Sequence, residues 1–264
     1  MVSVEIHTPW LFGIRSHAER GNEKNIETRL DYTMNNVSSM CWDIDISNFP
    51  EANTDKKTAL FTLQRMLPEY VWDIVHLEGN PYSFVEVQTL LQGTTVAGYS
   101  LFEQTQILNQ RKSIDELKAV LKAEPCIIDK NLLLRYHQYV AKEEALKWGM
   151  FRDGQVSISG TEYMPPVADE LDALFAKGIE TILAISHPFE RALAYFFFGA
   201  LNQFFYDGNK RTSRLVMNTI LMQHGYYYLS IPGDKKSEFD EIMVNFYNTK
   251  DASQGFQFLM GCYQ

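Results

Sequence analysis

Apolar positions recur at helical spacing through most of this chain, and the pattern predicts a mostly α-helical protein. In residues 58–67, Leu60, Leu63, Met66 and Leu67 share one face, and Pro68 ends or kinks the run. Ser83 with Glu86 three residues on reads as a capping box, opening a helix through Val87 and Leu90-Leu91. Residues 99–110 predict another helix, and Ser113-Ile114-Asp115-Glu116 reads as the start of the next. Residues 129–146 place Leu132, Leu133, Tyr136, Val140 and Leu146 on an apolar face. Helices are expected over 167–184 and 189–201. The second is apolar nearly all round (Ala192, Leu193, Tyr195, Phe196, Phe197, Phe198), which predicts a central, buried element whose aromatics form core. A last helix is expected over 238–247.

The period changes between Arg152 and Pro166. Gln155-Val156-Ser157-Ile158-Ser159 alternates polar and apolar, predicting a short strand, with a turn at Gly160 and a stop at Pro165-Pro166. An exposed hairpin there is suited to pairing its main chain with an extended partner segment, the alternative being an ordinary surface hairpin. Tyr226-Tyr227-Tyr228-Leu229-Ser230-Ile231 is a second β-like stretch.

The chemistry concentrates in residues 203–214, where Asp207-Gly208-Asn209 is a turn leading into an apolar-periodic helix. The first turn of such a helix presents unpaired N–H groups and the positive end of its dipole, a ready phosphate site. Arg211 and Arg214, three residues apart, share one face of that turn, where guanidinium forks can grip phosphate oxygens. Asp207 is an oxygen ligand suited to Mg²⁺, which is usually held by one or two carboxylates together with substrate phosphates.

Composition narrows the partners. A net charge of −9 argues against nucleic-acid and anionic-membrane binding. Three widely spaced cysteines, Cys41, Cys126 and Cys262, read as reduced thiols of a cytoplasmic protein. The first residues lack the basic and apolar regions of a signal peptide. The most apolar run, 192–201, is ten residues and too short for a bilayer span. The six histidines show no pair at i, i+3 or i+4, so a zinc site is not expected. Phosphate-loop and nucleophile-elbow signatures are missing as well.

Phe205, Asp207, Gly208, Asn209, Arg211 and Arg214 fall on HxFx[D/E]GNxRxxR, and the chain resembles the Fic (Fido) family that carries this signature. Trp148-Gly149-Met150-Phe151-Arg152 with Val156-Ser157-Ile158 and Tyr163-Met164-Pro165-Pro166 resembles the family's flap. Leu77-Glu78-Gly79-Asn80 resembles the inhibitory segment that some members carry before the core. The resemblance covers roughly residues 70–264. It implies a Fic/Fido helical core with a small β-hairpin flap and an N-terminal extension. The implied organisation is an extension of unknown role over 1–55, a helical region with the inhibitory segment over 56–120, and the core over 121–264.

The resemblance further implies AMP transfer from ATP to a hydroxyl of a target protein, with ATP and Mg²⁺ as cofactors. Asp207 is then the metal ligand. Gly208, Asn209, Lys210, Arg211 and Arg214 bind the nucleotide, Asn209 and Arg211 act in catalysis, and Glu78 is an autoinhibitory glutamate reaching Arg214. Val156, Ser157 and Ile158 hold the target as an extended segment. Two positions depart from the family. Ile74 stands where the inhibitory motif has Ser or Thr. Gln203 stands where the signature has its catalytic His, and a carboxamide cannot accept a proton near neutrality. Weak or lost transfer is therefore expected. A catalytically silent binding module, and a transferase of a different phosphate-containing group, remain open beside the adenylyltransferase reading, as does assembly into a homo-oligomer. His187-Pro188-Phe189 copies the opening of the signature. It reads instead as a helix start, 16 residues before Gln203 and about 24 Å away along a helix.

Overall fold

The computed structural model describes residues 35–37, 39–123 and 125–263. Most of the expected N-terminal extension, with its turn-prone cluster Arg20-Gly21-Asn22-Glu23, lies outside them. Among the described residues a short antiparallel hairpin, β1 (Asn35–Val37) and β2 (Met40–Trp42), precedes ten α-helices. These are α1 (Lys56–Arg65), α2 (Leu67–Leu77), α3 (Phe84–Leu91), α4 (Leu101–Lys122) and α5 (Lys130–Val140). After them come α6 (Leu171–Leu183), α7 (Pro188–Asn202), α8 (Asn209–Gln223), α9 (Lys236–Thr249) and α10 (Ser253–Cys262). The protein is mostly helical, in the class its periodicity predicts.

Helix α7 is the axis of the core. Phe189, Leu193, Phe196, Phe197 and Phe198 are all essentially buried, because a helix apolar on every side must be covered on every side. It packs most extensively on α8, and Gly199 permits the close approach: a Cβ there would lie 2.1 Å from Ser213 Oγ. Helix α8 is buried almost throughout although it begins with two arginines, so its charges must be matched inside the protein. Around this pair lie α4, α5 and α6, with α9 and α10 near the C-terminal end. Strand β2 docks through Trp42, whose indole N–H donates to Glu190 of α7 at 2.9 Å.

Several local expectations are corrected. Pro68 does not merely stop a helix. It occupies the first turn of α2, where its missing N–H costs nothing. The two helices expected around 99–118 are one, α4, capped by Ser100 and Glu103. Ser113 is buried in its middle, its hydroxyl turned back to Gln110 O at 2.8 Å rather than capping anything. Helix α5 ends at Val140, leaving Leu146 exposed, because the chain turns through Glu143 at φ 65°. Helix α10 was not anticipated.

Neither β-like stretch joins a sheet among the described residues. In 155–159 the alternation survives as burial, with Val156 and Ile158 half-buried between exposed neighbours, but no second strand pairs with them. In 226–231 a side chain takes the place of a partner strand. Asn218 of α8 accepts from Leu229 N at 2.6 Å and donates to Leu229 O at 3.0 Å. No helix among the described residues is long and apolar enough to cross a membrane.

Candidate functional site

The loop between α7 and α8 is shaped by its own side chains. Helix α7 ends where Gln203 enters the left-handed region (φ 47°, ψ 59°), a conformation uncommon outside glycine. Its carboxamide is engaged at both ends: Nε2 donates to Ala200 O at 2.7 Å, and Oε1 accepts from Asn209 Nδ2 at 2.9 Å. Asn209 also brackets Phe205, accepting from its N–H and donating to its carbonyl, both at 2.9 Å. Gly208 then turns the chain into α8 at φ 74°. A Cβ would strain the backbone there and meet Val140 and Ala141 at 3.1 Å.

Helix α5 supports this loop from below. The His137 ring lies flat on Phe205, with centroids 3.6 Å apart at 8°. Gly149 N donates to its Nδ1, which places the proton on Nε2, and that proton is donated to Asp207 O at 3.0 Å. Burial lowers the His137 pKa to about 4, so the ring is a neutral, fixed prop at pH 7. Sequence reading passed over His137, because nothing in its neighbours marks it.

Asp207 Oδ1 accepts from Gly208 N at 2.5 Å and from Arg211 Nη2 at 3.3 Å. Its Oδ2 accepts no hydrogen bond among the described residues, and Asp207 lines a cavity of about 330 Å³ together with Gln203, Lys210, Arg211 and Glu78. The first intrahelical bond of α8 runs from Thr212 N to Gly208 O. The N–H groups of Asn209, Lys210 and Arg211 therefore have no intrahelical acceptor.

Arg211 and Arg214 are both buried. Arg211 is surrounded by three carboxylates: Glu144 at 2.7 Å, Asp207 at 3.3 Å and Glu78 at 3.9 Å. Among the described residues Arg214 has one ion-pair partner, Glu78 at 3.5 Å. Among those residues each arginine also keeps a buried Nε with no hydrogen-bond partner, a site an anion oxygen could fill. Burial alone would raise the Glu78 pKa, but Arg211, Lys210, Arg214 and Lys236 outweigh it and hold the carboxyl below its ordinary value. Glu78 follows the last residue of α2 and is fixed from behind: Lys236 Nζ donates to Leu77 O at 2.7 Å, and Asn80 anchors the turn to α4. Ile74 is buried and gives Glu78 no hydrogen bond. Glu144 escaped the sequence reading, since Lys142-Glu143-Glu144 looks like any solvated charge run.

Over the cavity runs 152–166. Arg152, itself buried, donates through Nε to Gln203 O at 2.6 Å, through Nη1 to Gly154 O at 2.7 Å, and through Nη2 to Pro166 O. Gln155 Nε2 closes the segment onto Pro165 O at 2.9 Å. One side chain thus ties both ends of the segment to the loop carrying Gln203. Ser157 and Ile158 line the cavity, whereas the half-buried Val156 is not part of its lining. Of the residues expected to bind nucleotide, Gly208, Asn209, Lys210 and Arg211 border the same cavity, while Arg214 is buried against Glu78. His187 precedes α7 with Pro188 in its first turn and packs its ring against Phe49, tilted at 32°, at the far end of the helix from Gln203.

Residues 127–221 match the Fic/DOC family. The protein adenylyltransferase Fic of Drosophila ananassae is 28% identical over 201 residues, covering 74% of this chain and 39% of the relative. Its counterpart in Drosophila willistoni is 28% identical over 227 residues, covering 82% and 43%. The chain thus spans about two fifths of the length of these curated relatives. Among solved structures, Fic-1 of C. elegans superposes with a TM-score of 0.65 at 24% identity, over 78% of this chain and 62% of that one. A Fic domain containing signaling protein from Bacteroides thetaiotaomicron gives 0.63 at 18% identity, over 78% and 90%. The helical core agrees with these matches, and residues 127–221 are a region similar to the Fic/DOC family.

Proposed function

We propose that this chain binds ATP with Mg²⁺ at the start of α8 and is built as a protein adenylyltransferase whose transfer step is weak or lost. The observation that carries the reading is Glu78: a carboxylate reaches both Arg211 and Arg214, which is how two buried guanidinium groups would receive a phosphate. The unpartnered Nε atoms of both arginines and the open N–H groups of α8 fit further phosphate oxygens. Asp207, with Oδ2 unengaged beside the cavity, fits a Mg²⁺ that also takes substrate phosphates. When bound, the ion would neutralise phosphate charge. The names of the Drosophila relatives support AMP as the transferred group. The acceptor is then a protein hydroxyl laid along Val156, Ser157 and Ile158.

In this reading Arg211 and Arg214 orient the polyphosphate and stabilise charge on the leaving pyrophosphate. Glu78 is an intramolecular brake, because it holds the same guanidinium groups. Gln203 can orient a hydroxyl but cannot take its proton. Its carboxamide is moreover committed to Ala200 and Asn209. Loss of a general base costs about 10²–10⁴ in rate. That commitment also favours a second reading, a silent module that recognises a partner while holding nucleotide.

Calorimetry with ATP and Mg²⁺ tests the cradle. Glu78→Gly should bind at least tenfold more tightly than the native protein, and no binding by either sinks the nucleotide reading. Transfer of radiolabelled AMP tests the base: Gln203→His should exceed native by about 10²-fold or more. Equal and vigorous labelling by both would show that Gln203 is no handicap.

A further inference from the structure

Glu78 is not the only connection between its turn and the arginines. Two residues on, Asn80 is buried and donates through Nδ2 to Gln106 Oε1 of α4 at 2.9 Å. Gln106, also buried, donates through Nε2 to Glu144 Oε2 at 3.1 Å. The same Glu144 oxygen accepts from Arg211 Nη1 at 2.7 Å. Asn80 is further fixed by its bonds to Glu103 O and from Tyr82 N, so the turn cannot shift without disturbing Gln106. Among the described residues the other Glu144 oxygen is buried with no hydrogen-bond partner, and that carboxylate is oriented by Gln106 and Arg211. Such networks in a low-dielectric interior are stiff, because breaking one bond strands its buried partners.

From this geometry we infer that Gln106 and Glu144 are positioning residues. They form a relay, Asn80–Gln106–Glu144, that ties the turn carrying Glu78 to the orientation of Arg211. The inference rests on the nucleotide-binding reading and deepens it. Arg211 is held from three sides, directly by Glu78 and Asp207 and indirectly through the relay to Glu144. Among the described residues Arg214 has Glu78 as its one ion-pair partner, with the buried Asp73 acting on it from farther off. When Glu78 withdraws, Arg214 is released, whereas Arg211 stays aimed by Glu144. The relay therefore does two opposed things. It stiffens the braking turn, which disfavours nucleotide, and it keeps Arg211 aligned once the brake is off, which favours nucleotide.

The opposition makes a sharp test. MgATP binding is measured by calorimetry on the full chain in four forms: native, Glu78→Gly, Gln106→Met and the double variant. Gln106→Met should tighten binding about threefold in the native background, where it loosens the brake. In the Glu78→Gly background it should weaken binding about fivefold, because only the misaligned Arg211 remains. A merely structural residue would weaken binding in both backgrounds. The same sign, or no effect, in the two backgrounds overturns the relay even if Glu78→Gly binds better than native. Absence of MgATP binding in all four overturns the relay together with the nucleotide reading. Should Gln106→Met not fold, as judged by its melting curve, Gln106→Asn breaks the same contact with a shorter polar side chain and must show the same reversal.

Discussion

The loop of residues 203–208 and the segment 152–166 face the same cavity but are held by different means. In the first, the bonds made by its own side chains span six residues or fewer, Gln203 to Ala200, Asn209 to Gln203 and Asn209 to Phe205, and His137 of α5 adds a distant prop. In the second, shape depends on Arg152 reaching Gln203 and Phe204, about 50 positions away in sequence. A loop fixed by its own side chains carries its geometry in its sequence. One fixed by a distant loop does not.

The largest test of this contrast is Arg152→Ala. It strands three carbonyls that the guanidinium satisfies, those of Gln203, Gly154 and Pro166. At about 1–3 kcal/mol for each unsatisfied group, urea denaturation should show a loss of at least about 3 kcal/mol, with proteolysis opening first within 152–166. A loss under about 1 kcal/mol would mean that local contacts suffice for this segment too.

The loop of 203–208 should instead reveal itself through pH. His137 is buried and neutral, its pKa lowered to about 4, whereas the unfolded chain takes up that proton near the ordinary value of about 6.5. Between those values the unfolded state binds more protons. The stability present above about pH 6.5 is therefore lost as the pH falls toward 4, by up to about 3 kcal/mol. Denaturation of His137→Gln across that range should lack this component. An unchanged pH profile would show that His137 does not prop the loop as its hydrogen bonds suggest.

The smallest effect is expected where the two regions meet at the surface. Asp153 accepts from the Tyr206 hydroxyl at 2.8 Å and pairs with Lys147, both largely in solvent. Asp153→Asn should change stability by no more than about 0.5–1 kcal/mol, and less in high salt. A larger loss would move Tyr206 into the set of bonds that hold the two regions together.

How much was legible follows the same division. The helical class, the central position of α7 and the Ser83–Glu86 capping box could be read, because each depends on neighbours within a turn or two. Arg211 and Arg214 stood out because their spacing alone places them on one face of a helix, with Asp207 in the turn just before it. Alternation at 155–159 was real as a burial pattern, yet it could not supply a partner strand, and the implied hairpin flap forms no ladder. Ser113 looked like a cap because its local signal is a cap. Burial inside α4 overrode it. His137 and Glu144 had no signal at all: an isolated histidine and a charge run say nothing until α5 is laid against the start of α8.

Sequence by itself determined most of the helices, the turn chemistry of Asp207-Gly208-Asn209 and the pairing of cationic side chains beyond it, since backbone preference and side-chain spacing act over a few residues. Only the tertiary structure decided what those cations face. Glu78, Glu144 and Asp207 come from three separate parts of the chain, and burying Arg211 and Arg214 is tolerable only where the fold gathers opposite charge around them.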